Sequence, residues 1–324
     1  MKIRQLLLAA VAAAASTTSA TAQVYPSRPV TMVVPFAAGG PTDTIARIMA
    51  EPMRTALGQP VIIENVVGAG GSIGVGRVAR AAPDGYTLSI GNWSTHVVNG
   101  AIYALPYDLV GDLEPVALLP SNPQLIVARN GVSAKDLKEL VAWLKANKNN
   151  ASAGTAGAGS ASHVGGIFFQ NLTGTRFQFV PYRGTGPALQ DLAAGHIDVM
   201  FDQATNSLPQ VRAGKIRAFA VTSKARQASA PDIPTAEEAG LPGFHISVWH
   251  AFWVSRGTPK DVIAKLNAAV VDSLADPTVR QRLADLGQEI PPRERQTPEA
   301  LGTFQKAEVE KWWPIIKAAN VKGE

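Results

Sequence analysis

Cysteine is absent from the 324 residues. That removes disulfides, thiolate metal sites and cysteine nucleophiles, and it suits an oxidising compartment where a free thiol is a liability. Histidine is sparse as well: His96, His163, His196, His245 and His250 show neither H-x-H nor H-E-x-x-H spacing, so neither a metal nor a cofactor is expected. Charge of one sign is thin. Lys and Arg number 30 against 25 Asp and Glu, and they are interleaved with acids in stretches such as KDLKELVAWLKANK and RQRLADLGQE. This is the pattern of solvated amphipathic helices, without the aromatic-studded basic stripe of a nucleic-acid surface, so no nucleic-acid partner is expected.

Long apolar runs are missing outside the first residues. Met1-Lys2-Ile3-Arg4 forms a short basic region, Gln5 to Ala15 is mostly Leu, Ala and Val, and Ala20-Thr21-Ala22 supplies an A-x-A pattern before Gln23. The run is short and Ala-rich against the roughly 20 strongly apolar residues of a membrane span. It reads as a secretory signal over residues 1–22, cleaved after about Ala22, with a periplasmic product. Loss of Lys2 and Arg4 leaves 28 cations against 25 acids, a net charge of about +3. The remaining 300 or so residues suffice for two medium domains.

Glycine is plentiful and concentrated at two informative places. In VTMVVPFAAGGPTDTIARIM (residues 30–49) and NASAGTAGAGSASHVGGIFF (residues 150–169), a β-type run breaks into a glycine turn with small hydroxyls and then opens a helix. The first turns of a helix leave N–H groups unpaired at the positive end of its dipole, and glycine lets an anion come close to them. Two such cradles suggest two lobes closing on one small anion.

Strand-like runs (31–34, 61–63, 87–90, 125–128, 178–180, 197–201, 216–221) alternate with helix-like segments (42–57, 74–81, 133–147, 161–172, 186–194). Such alternation implies parallel sheets with helices on both faces. Residues 113–119 and 245–254 are long β-type runs flanked by Pro or Gly, suited to carry the chain to a second lobe and back. Residues 260–317 read as three helices, the second with Asp276 as N-cap and Pro277 in its first turn.

Two local strings suggest catalysis or a nucleotide. Gly70-Gly71-Ser72-Ile73-Gly74 fits G-x-S-x-G, the nucleophile elbow of a serine hydrolase, but no HGG segment precedes it and the last histidine, His250, lies far from the C-terminus. A tight glycine-assisted helix start is the simpler reading. The overlapping G-A-G-G-S-I-G places Ile73 where the dinucleotide fingerprint needs its third glycine.

The strings YPSRPVTMVVPFAAGGPTD, GAGGSIG with AAPDGYTL, GNWSTHVVN, GTAGAGSASHVGG, PYRGTGPALQDLAAGHIDVMFD and LPQVRAGKIRAFAVTS occur in the order and spacing of a known family. The chain resembles the periplasmic solute-binding proteins of tripartite tricarboxylate transporters, the Bug-type receptors, over nearly its whole mature length. Trp93 departs from the small residue usual there.

The resemblance implies an α/β, two-lobed periplasmic binding protein of type II-like form, each lobe a central mostly parallel sheet flanked by helices, joined by two crossover strands. Lobe one would be 23–122 plus 250–324, and lobe two 123–249. It implies a non-enzymatic, monomeric receptor that hands a small carboxylate to one large and one small integral membrane subunit; a receptor reporting to a signalling kinase is the alternative within this class. The loop Phe36, Ala37, Ala38, Gly39, Gly40, Thr42 and Asp43 would face one carboxylate. Thr155, Gly157, Ala158, Gly159, Ser160 and His163 would hold the other end, and Asn92, Trp93, Ser94, Thr95, Asp202 and Trp249 would line the sides. Asp43 could equally brace the first helix, Phe36 and Trp249 could be core, and Arg183 is expected to be solvated. Trp93 at the cleft mouth would favour an aromatic or planar acid. Asp202, at the carboxyl edge of a strand, would have to meet a donor or an amino group.

Overall fold

The computed structural model describes residues 25–148, 150–319 and 321–322; the proposed signal segment lies outside them. Val30–Val34 (β1) is entirely apolar but for Thr31 and is almost wholly buried, as a central strand covered on both faces must be. Its neighbours Val61–Asn65 (β2) and Thr87–Asn92 (β3) run parallel to it. Between β1 and β2 the chain forms Pro41–Leu57 (α1), which starts on extended Gly40 with Pro at its first position and stops at left-handed Gly58, the usual asymmetry of helix ends. Ser72–Ala79 (α2) returns to β3, and a π-helical turn at Ser94–Val98 runs into Asn99–Ile102 (α3).

Leu113–Arg129 (β4) is the spine of the molecule. Residues 113–119 and 125–128, separate runs in the sequence reading, belong to this one strand of 17 residues. Its first half pairs antiparallel with Ser247–Ser255 (β9), which in turn pairs antiparallel with β3. Its second half pairs antiparallel with Val199–Gln203 (β7) on one side and Ile216–Val221 (β8) on the other. Beyond β7 lie Ser152–Thr155 (β5) and Gln178–Pro181 (β6), all three parallel. Each lobe thus has three parallel strands, with the antiparallel partners contributed by and around the crossover strands. The register of β4 against β9 shifts between Leu118 and Ser121.

The second lobe carries Leu137–Ala146 (α4), Ala161–Thr173 (α5), Thr185–Ala194 (α6) and Ala204–Arg212 (α7). The C-terminal region is the expected three helices, Lys260–Ala275 (α8), Pro277–Asp285 (α9) and Pro298–Ala318 (α10). Asp276 caps α9 by accepting hydrogen bonds from the Thr278 and Val279 N–H groups at 2.8 and 3.0 Å. α10 lies over β4 and the π-turn through indoles that meet its polar side chains. Gln305 Oε1 accepts from Trp253 Nε1 at 3.0 Å, and Glu308 Oε2 accepts from both Trp249 and Trp312, each at 3.1 Å. Buried indole N–H groups need such partners, so this arrangement also fixes where those tryptophans point.

Candidate functional site

A cavity lies between the lobes, and its wall is made largely of helix beginnings. Gly40, Pro41 and Thr42 bring the start of α1, Ser160, Ala161 and Ser162 that of α5, Thr185 that of α6, and Gln203 the cap of α7. Asn92 and Ser94 add the start of the π-turn, while Phe36, Ala156 and Phe201 close the apolar sides. Two such helix starts were expected from the sequence; four converge. Each brings the positive end of a helix dipole to the wall, worth about 0.3–1 kcal/mol apiece for a nearby anion and up to ~2 when partly buried. Among the described residues no Lys, Arg or His lines the cavity.

The cradles are held by local hydrogen bonds. Asp43 accepts from the Gly39 N–H at 2.9 Å, from Arg47 Nε at 2.8 Å and from Asn65 Nδ2 at 3.0 Å, and Asn65 also donates to the Phe36 carbonyl. Burial alone would push the Asp43 pKa up, but these donors hold it below the usual carboxylate range. Its visible role is therefore the brace that the sequence left open as an alternative. Asn92 Oδ1 accepts from the Ser94 N–H, the Ser94 hydroxyl and the Thr95 N–H. Thr95 turns its hydroxyl back to the Asn92 backbone and His96. Thr42 Oγ1 is met by His250 Nε2 at 3.3 Å and Asn92 Nδ2 at 3.5 Å.

On the opposite wall, Ser160 caps α5 by accepting from the His163 N–H and shares a hydrogen bond with Ser162 at 3.0 Å. His163 Nδ1 accepts from the Gly159 N–H at 3.1 Å, its ring packs edge-on against Phe179, and burial drives its pKa down to about 4. It is a neutral brace of the glycine turn. Thr155 Oγ1 accepts from the Gly157 N–H. Gly159, at φ +74°, fits beneath lobe one, where an added Cβ would stand 2.1 Å from Ile102 Cδ1.

Of the residues expected to touch a ligand, the structure brings Phe36, Gly40, Thr42, Asn92, Ser94, Ser160 and Asp202 to this cavity. Ala37, Gly157 and Ala158 line a second, outer cavity of 550 Å³, which meets the inner one at Phe36 and Ala156 and has exposed Arg183 at its rim. Ala38 and Gly39 are exposed at the turn. Two placements are corrected. Trp93 is not at the cleft mouth: it is 1% exposed and packs edge-on against Trp312 at 4.7 Å in the core, because the π-turn that starts after it sends Asn92 and Ser94 inward. Trp249 faces the other side of the crossover, held by Glu308 and packed on Phe304 at 5.1 Å.

The sequence reading missed Gln124, Ser162, Thr185 and Gln203. Gln124 Nε2 donates to the Ala161 carbonyl at 2.7 Å, joining β4 to the start of α5. Ser162 and Thr185 follow Gly-rich stretches in helix-start positions, which was an available signal. Gln124 and Gln203 reach the site through strand register alone.

Asp202 is the one charged side chain in the cavity, 1% exposed at the end of β7. Its Oδ2 accepts from Asn206 Nδ2 and Ser207 Oγ, each at 2.7 Å. Burial raises its pKa to about 6, against smaller lowering contributions from Ser207, Asn206, Thr185 and the Gln203 N–H. The G-x-S-x-G serine is built differently from a nucleophile elbow. Ser72 begins α2, its carbonyl accepts from Tyr107 at 2.9 Å, and among the described residues no histidine bonds its hydroxyl.

The sequence profile of the tripartite tricarboxylate transporter family receptor matches residues 45–321. The chain belongs to this receptor family. It is 32% identical over 314 residues to BugT of Bordetella pertussis, covering 96% of this chain and 95% of the relative. Among solved structures, MatC from Rhodopseudomonas palustris with bound malate is 43% identical, with a TM-score of 0.87 over 90% of this chain and all of the other. The periplasmic binding protein BugD is 42% identical with a TM-score of 0.89, over 93% and 100% of the two chains. A second R. palustris protein, solved with adipate, is 31% identical with a TM-score of 0.87, over 92% and 99%. The two-lobed architecture expected from the six motifs is that of these proteins.

Proposed function

We propose that this family receptor captures a small carboxylate between its lobes, outside the cytoplasm, and delivers it to a large and a small membrane subunit without making or breaking a bond. The observation that carries this reading is the convergence of four helix N-termini on one cavity whose described lining has no cationic side chain. Neutral N–H donors bind a carboxylate at modest desolvation cost, whereas a buried Arg would need its own charge compensated. The relatives solved with malate and adipate, both dicarboxylates, support a linear acid with two carboxyl groups. With Trp93 and Trp249 turned away, the aromatic lean expected from the sequence loses its support, and only Phe36 and Phe201 remain as ring walls.

The lobes divide in this proposal at 122/123 and 249/250, around the crossover strands, and the receptor acts as a monomer after cleavage near Ala22. Among the described residues no helix is long and apolar enough to cross a membrane. A thermal-shift panel tests the function. Linear mono- and dicarboxylates should raise the Tm by mass action, about 2.7 kcal/mol at a hundredfold excess over Kd, while glucose and putrescine should not. A shift with glucose and none with any acid contradicts the reading.

A further inference from the structure

The cavity favours an anion everywhere except at Asp202. Both of its oxygens belong to a carboxyl group 1% exposed, yet only Oδ2 is satisfied, by two donors on the first turn of α7. Oδ1 is buried without a formed hydrogen bond, in a side chain that lines the cavity. A buried acceptor without a donor is costly, more so when ionised. The Thr185 hydroxyl and the Gln203 N–H stand near enough to the carboxyl group to lower its pKa without a formed hydrogen bond to Oδ1, the hydroxyl of Ser94 is already given to Asn92 Oδ1, and Gln124 Nε2 to the Ala161 carbonyl. An unsubstituted carboxylate offers only acceptors to this oxygen and repels it.

We propose that Asp202 determines specificity within the carboxylate reading above, its Oδ1 accepting a hydrogen bond from a hydroxyl or ammonium group on the ligand. The favoured substrate is then a hydroxy or amino acid. Its carboxylate rests on the helix starts of α1, α5 and α6, and its donor substituent points at the end of β7. Both substituents offer the same N–H or O–H chemistry; the ammonium adds a charge that pairs with Asp202, and the hydroxyl does not.

The test is calorimetry at pH 7.5 with matched sets that differ in one group: malate, aspartate and succinate; lactate, alanine and propionate; mandelate and phenylacetate. In whichever set binds, the hydroxy or amino acid should bind at least roughly tenfold more tightly than its unsubstituted partner, as expected for a hydrogen bond to a charged group. The relative affinities of malate and aspartate assign hydroxyl or ammonium. In Asp202→Asn, the amide oxygen takes the place of Oδ2 because Asn206 and Ser207 donate, leaving the amide N–H₂ towards the cavity. The preference should fall to about onefold or reverse. Equal affinity across a set in the wild type overturns the proposal without any variant, as does an unchanged preference in Asp202→Asn. Wild-type affinity that falls for every acid as pH rises through 6, with Asp202→Asn binding all of them tightly, also overturns it, by showing Asp202 protonated and donating. Binding of unsubstituted acids with no preference defeats this proposal alone; failure of every acid in every set defeats the carboxylate reading together with it.

Discussion

At the scale of single residues, the ionisable side chains around the cleft are kept neutral or matched. His96 and His250 are buried and His163 half-buried, and desolvation holds them well below the ordinary imidazole range, at about 3 for His96 and about 4 for His163 and His250. A depressed histidine pKa means that the unfolded chain binds more protons between about pH 4 and 6.5, so stability rises with pH through that window. Asp202 acts oppositely. Its folded pKa of about 6 lies above the unfolded value of 3.8, so its contribution is present at low pH and is lost as pH rises from about 4 to 6. Urea denaturation of the unliganded protein should therefore show stability increasing from pH 4 to 6.5, and Asp202→Asn should steepen that increase. A variant slope equal to or shallower than the wild type contradicts the assignment. Trp93 gives a second expectation. As a core indole against Trp312, its replacement in Trp93→Ala should cost about 3–5 kcal/mol of stability, read by the same denaturation. Unchanged stability with selective loss of an aromatic acid would return Trp93 to the cleft.

At the scale of elements, helix starts form the site and glycines let the lobes touch. Gly70, at φ +57°, faces the Ala158 carbonyl across the cleft, and a Cβ there would stand 2.4 Å from that oxygen. The atom it meets is backbone and cannot swing aside. Gly70→Ala should weaken binding of whichever acid the thermal-shift panel identifies by at least roughly tenfold, while the unliganded Tm falls by no more than the ~1–2 kcal/mol of a left-handed alanine predicts. Calorimetry and a melting curve check both parts; wild-type affinity would show that closure does not need this contact.

The beginnings of α1 and α5 were legible in the sequence because glycine turns, Pro41 and the Ser160 cap are local signals. α7 was not: Gln203 makes no side-chain cap bond, and Pro209 lies inside the helix, so its first turn carries no mark of a start. β4 was read in two pieces because Pro120 and Pro123 interrupt an apolar strand that pairing with β7, β8 and β9 nonetheless holds together. Asp202 was found from its place at a strand end, whereas Gln124 became part of the site only through the pairing of β4 with β7, which no local pattern encodes.

At the scale of the whole molecule, the lobes stand closed. The Ala37 N–H donates to the Arg183 carbonyl at 3.0 Å, and Tyr103 donates to the Ala158 carbonyl at 2.8 Å. The inner cavity has 20 Å³ of free volume for water-sized occupants, room for about one water. An acid of several carbon atoms enters only if the lobes part about β4 and β9 and reclose on it, with the ligand shifting that balance through its differential affinity for the two forms. The central claim is that the helix starts of α1, α5 and α6, and not a cationic side chain, hold the carboxylate. A crystal structure of the protein with the tightest-binding acid of the panel tests it directly. The account predicts a carboxylate group in the inner cavity within hydrogen-bond reach of backbone N–H groups in the first turns of α1, α5 or α6. A carboxylate seated instead on Arg183 in the outer cavity, or in the groove beside Trp249, would contradict it.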